Sequence, residues 1–168
     1  YTISGSDAGN YSAPANETVS NGGAISALGL SQSGASAANK AYDAGTSAVI
    51  SGGSLSGVVG SDTVSVSSAG TFSSASVANG KTVTLALTGS DAGNYSISSG
   101  GTTTANITVK LLTVSGSSAA KVYDGDTTAT SGEVSVGTVS GRVGSETVTV
   151  AGTGTFAAGT VGTHNVAL

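Results

Sequence analysis

The side chains able to do chemistry are few and scattered. His164 is the only histidine and cysteine is absent, so the usual nitrogen and sulfur ligands of a zinc site are missing and His164 reads as a loop residue. The acids stand alone except Asp124 and Asp126. Such a pair could begin a calcium site, but Ca²⁺ takes about six to eight oxygens. The other Tyr-Asp stretch, at Tyr42-Asp43, has no counterpart of Asp126. Lys40 and Lys121 each lie two residues before a Tyr-Asp pair. A Lys–Asn or Lys–Asp isopeptide crosslink is the covalent chemistry open to them, while turn formation explains the same acids. No pair of glycines four apart encloses a central serine, and Gly152-Thr153-Gly154 lacks the third glycine of a dinucleotide fingerprint. No enzyme and no cofactor is expected.

These residues belong to a repeat. Ser6-Asp7-Ala8-Gly9-Asn10-Tyr11-Ser12 returns letter for letter as Ser90-Asp91-Ala92-Gly93-Asn94-Tyr95-Ser96, 84 residues on. Val59-Gly60-Ser61-Asp62-Thr63-Val64 returns at the same step as Val143-Gly144-Ser145-Glu146-Thr147-Val148, and Gly70-Thr71-Phe72 as Gly154-Thr155-Phe156. The Tyr42-Asp43 to Tyr123-Asp124 step is 81, so the slack lies in the connections. A fixed step of this kind defines a tandem array. The expected organisation is 1–25 as the end of a preceding repeat, 26–109 as a complete repeat, and 110–168 as the first two-thirds of the next. Val166-Ala167-Leu168 corresponds to Val83-Thr84-Leu85, and Tyr1-Thr2-Ile3 is roughly what should follow. The chain thus reads as a window on a longer periodic protein or fibre.

Composition narrows the class. Of 168 residues 8% are charged and 4% aromatic, with 27 glycines and a net charge of −4; charged residues average about a quarter of ordinary proteins. A mean hydropathy of +0.22 and apolar residues at strand spacing favour order over disorder. Five scattered basic residues form no stripe for nucleic acid. No apolar run reaches the ~18 residues of a bilayer-spanning helix, so membrane insertion is not expected. The lack of cysteine suits an extracellular location.

The strand period sets the fold. Thr63–Ser67 and Thr147–Val150 alternate strictly, with Val64, Val66, Val148 and Val150 on the inward side. Thr82–Leu87 and Asn106–Leu111 alternate too. Ile25, Leu28 and Leu30 match Val109, Leu112 and Val114 as lead-in strands between repeats, with Pro14 to Gly23 as a loop. Phe72 and Phe156 are the expected core centres. Tyr42 and Tyr123 are expected to anchor a core edge, with Asp43 and Asp124 bonding turns. Asp7, Asn10 and Tyr11, like Asp91, Asn94 and Tyr95, read as a turn with a tyrosine plug. The expected fold is all-β: elongated tandem antiparallel Ig-like sandwiches of about 84 residues, with β-grasp-like repeats carrying a short helix as the alternative.

Lys-x-Tyr-Asp-Gly-x-Thr (Lys121 to Thr127), Val-Gly-Ser-Asp/Glu-Thr-Val, Gly-Thr-Phe and Gly-Ser-Asp-Ala-Gly-Asn-Tyr, in this order, resemble the YDG-type repeats of large bacterial surface proteins, the filamentous-haemagglutinin-like and other giant adhesins. Ala44 departs from that pattern where Gly125 keeps it, so the motif glycine does not read as indispensable. The resemblance implies a spacer in a bacterial cell-surface adhesin stalk or filament, serving cell attachment or biofilm. Its expected partners are neighbouring repeats, identical chains in a fibre, and surface glycans or cells. It also makes the Asn-x-Ser/Thr acceptors at Asn10, Asn16, Asn94 and Asn106 candidates for glycosylation. The alternative function is a binding module that presents Tyr11 and Tyr95 to a glycan or a neighbouring cell.

Overall fold

The computed structural model describes residues 1–15 and 23–168. Asn16 and most of the expected Pro14–Gly23 loop lie outside the described residues.

Alternating Val, Thr and Ser suit a half-buried pleated surface, and the chain from Leu28 to Thr108 forms nine strands. They are β1 (Leu28–Ala37), β2 (Lys40–Ala41), β3 (Ser47–Ser56), β4 (Ser65–Val66), β5 (Ala69–Phe72), β6 (Ala78–Thr84), β7 (Leu87–Thr88), β8 (Tyr95–Ser99) and β9 (Thr102–Thr108). Seven join one sheet in the order β2-β9-β6-β5-β3-β1-β8, and β4 pairs with β7. The strand β3 serves two neighbours: Ala48 lies opposite Gly70 of β5, while Ile50 onward lies opposite β1. The sheet curls until β1 comes back against β9. Inside the curl Ala48, Ile50, Phe72, Val83, Leu85, Ala105 and Ile107 form the core, with Tyr42, Val66 and Ile97 packed on it.

All-β holds, but the pairing is mixed. β8 runs parallel to β1, with Leu28 opposite Tyr95, and β2 runs parallel to β9. This corrects the purely antiparallel expectation. The two parallel strands are the outer edges of the curled sheet. The helical content of the described residues is two 3₁₀ turns, Ala8–Asn10 and Ala92–Asn94, so the helix of a β-grasp-like repeat is not found among them.

The second repeat forms β10 (Thr113–Ser115), β11 (Ser118–Ala119), β12 (Thr128–Ala129), β13 (Val134–Ser135), β14 (Thr138–Ser140), β15 (Gly154–Phe156) and β16 (Val166–Ala167). Two of its registers copy the first. Ala129 faces Gly154 as Ala48 faces Gly70, and Phe156 faces Val166 as Phe72 faces Val83.

The positions 84 residues on from β7, β8 and β9 lie past Leu168, and residues that those strands cover in the first repeat are more exposed in the second. Leu30 is 0% exposed but its match Val114 is 42% exposed. Phe72 is buried and Phe156 is half-buried. Thr147–Val150 forms no strand, and Val148 and Val150 are 40% and 37% exposed rather than inward. In the first repeat the matching strand β4 exists through its pairing with β7, Val66 opposite Leu87. A strand with no neighbour leaves its backbone groups to water. The lead-in strands also start later than expected, at Leu28 and Thr113, with Ile25, Val109 and Leu111 exposed.

Candidate functional site

The two motifs that mark the repeat meet in space. Gly89 turns the chain at φ +124°, and a Cβ there would come within 2.1 Å of the Thr63 carbonyl oxygen. Only glycine permits both the φ and the close approach. Asp91 then accepts the Thr63 amide (2.8 Å) and the Ser90 hydroxyl (2.9 Å) through Oδ2. The Thr63 amide holds the Asp91 carboxyl below its usual range. After the 3₁₀ turn, Tyr95 starts β8 with 8% exposure. Its hydroxyl donates to Asp62 Oδ2 at 2.5 Å and accepts the Val59 amide at 3.1 Å. The bond to Asp62 raises the phenol's pKa. Residues 89–95 thus clasp the turn at 59–63.

The first copy of the motif makes no such clasp among the described residues, since the loop it would meet, 84 residues before 59–63, lies ahead of Tyr1. Tyr11 is 74% exposed, and Asp7 accepts the Ser6 hydroxyl at 3.1 Å without a backbone partner among the described residues. Asn10 and Asn94 lie on the exposed turns, whereas Asn106 is half-buried and its Oδ1 accepts the Gly80 amide at 2.7 Å.

The Lys-x-Tyr-Asp motif builds a second local structure. Lys40 Nζ bonds Asp43 Oδ1 (2.7 Å) and the Gly45 carbonyl (2.8 Å), and lies 5.5 Å from the centre of the Phe72 ring. Asp43 Oδ1 also accepts the Gly45 amide at 2.9 Å, and Lys40 holds its carboxyl below the usual range. Ala44, between them, takes φ 62°, as Gly125 takes φ 87°. The turn needs a left-handed residue in both repeats, and the first meets that need with an alanine.

In the second repeat Lys121 Nζ sits between Asp124 Oδ1 (2.7 Å) and Asp126 Oδ1 (2.6 Å) and donates to the Thr128 carbonyl (2.8 Å). The ammonium takes the place between these carboxylates that a calcium ion would need. Lys121 lowers both acids, and they raise it in turn. A proton-retaining amine is the opposite of the neutral nucleophile an isopeptide bond requires. Among the described residues no group of three metal-ligating side chains assembles, and no helix is long and apolar enough to cross a membrane.

Tyr42 and Tyr123 differ. Tyr42 packs on the core edge and its hydroxyl donates to Glu146 Oε1 of the second repeat, a short bond that raises the phenol's pKa. Around this bond Val77, Val109, Leu112, Val143 and Val148 line the junction between the repeats. Tyr123 is exposed. It borders a cleft of about 350 Å³ with Lys121, Asp126, Phe156 and His164, where in the first repeat β9 lies between β2 and β6. His164 Nε2 lies 2.7 Å from the Thr160 carbonyl. Sequence reasoning gave Asp62 and Glu146 no role. Their recurrence at one position of a chain with nine acids was the available signal.

Short-stranded all-β units that share the β5–β6 register and the Lys–Asp turn contact make this a tandem-repeat β protein. The YDG domain family matches residues 27–105 and again 108–167, and the chain belongs to that family. No curated protein and no solved structure matches it.

Proposed function

We propose that this chain is a structural repeat of a bacterial extracellular adhesin stalk or surface filament, a spacer in cell attachment or biofilm. In this reading the repeats, sandwich-like in their packing, stand in an elongated row. The observation that carries it is the Tyr42–Glu146 bond, which spends the signature tyrosine of one repeat on the signature loop of the next. In such arrays stability is roughly a sum of repeat and interface terms, so motifs devoted to self-contact suit a spacer. The reading gives the chain no catalytic role.

The alternative, a glycan- or cell-binding module built on the repeated turn, draws on the exposure of Tyr11. The burial of Tyr95 in the complete repeat counts against it. Immunogold electron microscopy of intact cells, with antibody to this chain, tests the spacer reading. Label on surface projections that shorten when repeats are deleted is the expected result. Label confined to the cell interior, or projections of unchanged length, overturns it.

A further inference from the structure

The pairing of β6 with β9 breaks step at one place. Ala78 lies opposite Ile107 and Lys81 opposite Ala105, so Asn79 and Gly80 together face the single residue Asn106. Two residues against one make a β-bulge, which takes part of the strand out of the ladder. The Gly80 amide accordingly bonds a side chain in place of a strand carbonyl. It donates to Asn106 Oδ1 at 2.7 Å, while the Asn106 amide donates to Asn39 Oδ1 at 2.7 Å. Gly80 takes φ +61°, and a Cβ there would meet nothing within 4 Å. Asn79 and Gly80 are both exposed. Asparagine is among the thermolabile residues, through attack of the next backbone nitrogen on its side-chain carbonyl carbon. A glycine in that next position puts no side chain in the way. Of the eight asparagines, Asn21 and Asn79 are followed by glycine, and Asn21 lies outside the described residues.

We propose that Asn79-Gly80 is a site of self-modification, where the chain converts an amide to a carboxylate with water as the co-reactant, and that Asn106 sets its pace. The Gly80 nitrogen forms a bond to Asn79 Cγ and gives up its proton through water. The Cγ–Nδ2 bond breaks, and Nδ2 leaves as ammonia with that proton. Water then opens the cyclic imide at one of its two carbonyls, giving aspartate, or at the other, giving isoaspartate. Nothing is oxidised or reduced. Asn106 Oδ1 holds the Gly80 N–H toward β9, so the attack waits on the opening of that bond. Asn106 is therefore a positioning residue that slows the step. Either product adds a negative charge two residues from Val77, which lines the junction between the repeats. Isoaspartate also lengthens the backbone of β6 by one atom, at the seam where β6 meets β9.

The test keeps the full chain folded at mildly alkaline pH in heavy-oxygen water and then digests it. Mass spectrometry reads the label at each asparagine, and fragmentation separates isoaspartate from aspartate. Label at position 79 is expected to accumulate at least tenfold faster than at Asn39, Asn94 and Asn106, which precede Lys40, Tyr95 and Ile107, with isoaspartate the major product. No faster label at 79 than at those three overturns the site, whether or not Asn21 takes it up. Aspartate alone at 79 overturns the imide route, because direct hydrolysis needs no Gly80 nitrogen. Asn106→Ala is expected to raise the rate at 79 several-fold and leave that at Asn21 unchanged. Asn106→Asp, which keeps an acceptor oxygen, is expected to hold the native rate. Equal rates at 79 in all three chains overturn the role of Asn106. Where Asn106→Ala does not fold, the comparison of position 79 with Asn39 and Asn94 in the unaltered chain still decides the site.

Discussion

Tyr95 and Asp62 are 33 positions apart in the chain and 2.5 Å apart through the tyrosine hydroxyl, which donates to the carboxylate while accepting the Val59 amide. Removing that hydroxyl leaves two polar groups of the turn without their partner, a larger effect than losing an average hydrogen bond. Tyr95→Phe is therefore expected to lower the thermal midpoint of the first repeat by several degrees. Tyr11→Phe, at dilute chain concentration, is expected to leave it unchanged because Tyr11 is exposed. Circular dichroism melts of the two variants check this, and equal shifts would sink the clasp.

Ala44 stands at φ 62° where the second repeat has Gly125. A left-handed conformation costs a residue with a Cβ about 1–2 kcal/mol relative to glycine. Glycine gives back part of this through the greater freedom of its unfolded chain. Ala44→Gly is expected to stabilise by about 0.5–1 kcal/mol, and Gly125→Ala to destabilise by about 1 kcal/mol or more. Urea titrations at constant m-value measure both.

How much could be read beforehand follows from the same residues. Phe72 and Val83 recur as Phe156 and Val166, and the structure pairs them in both repeats; the recurrence was legible in the sequence, whereas the pairing was not, because a repeated spacing does not say which strands are neighbours. The parallel placement of β8 beside β1 was hidden, since a period of two is the same for either strand direction. Alternation marks which side of a strand can be buried, whereas burial needs a neighbour: Val66 has Leu87 of β7 opposite it, while the position matching β7 lies past Leu168 and Val148 and Val150 are exposed. Asp62 and Glu146 drew no attention because an acid in a Gly-Ser turn looks like solvated turn chemistry until a tyrosine is seen against it.

The two phenylalanines should respond unequally. Phe72 is 2% exposed at the centre of the core, and truncating a fully buried aromatic costs about 3–5 kcal/mol. Phe156 borders an open cleft, so part of its surface is already hydrated and water can enter the space it leaves. Phe72→Ala is expected to unfold the first repeat or lower its stability by about that amount, and Phe156→Ala to cost less than half as much. Hydrogen exchange resolved by repeat separates the two.

Stability should fall at both ends of the pH scale, for opposite reasons. Asp43, Asp91, Asp124 and Asp126 all have folded carboxyls below their ordinary 3.8. Between the folded and ordinary values the unfolded chain binds more protons, so stability rises with pH there. Their contribution is complete above 3.8 and is lost as pH falls through the folded values. Tyr42 and Tyr95 lie above their ordinary 10.0, and Lys121 above 10.5. The folded chain holds those protons longer, so their contribution is complete below the ordinary values and disappears as pH rises through the folded ones. Loss of the Tyr95 proton would set two anionic oxygens against each other at the Asp62 contact. The melting temperature is thus expected to be flat from about pH 5 to about pH 9, falling on either side. Asp91→Asn should shallow the acid limb alone, and the pair Tyr42→Phe with Tyr95→Phe the alkaline limb alone. An acid limb unchanged by Asp91→Asn would mean that the Thr63 amide does not hold this carboxylate in solution.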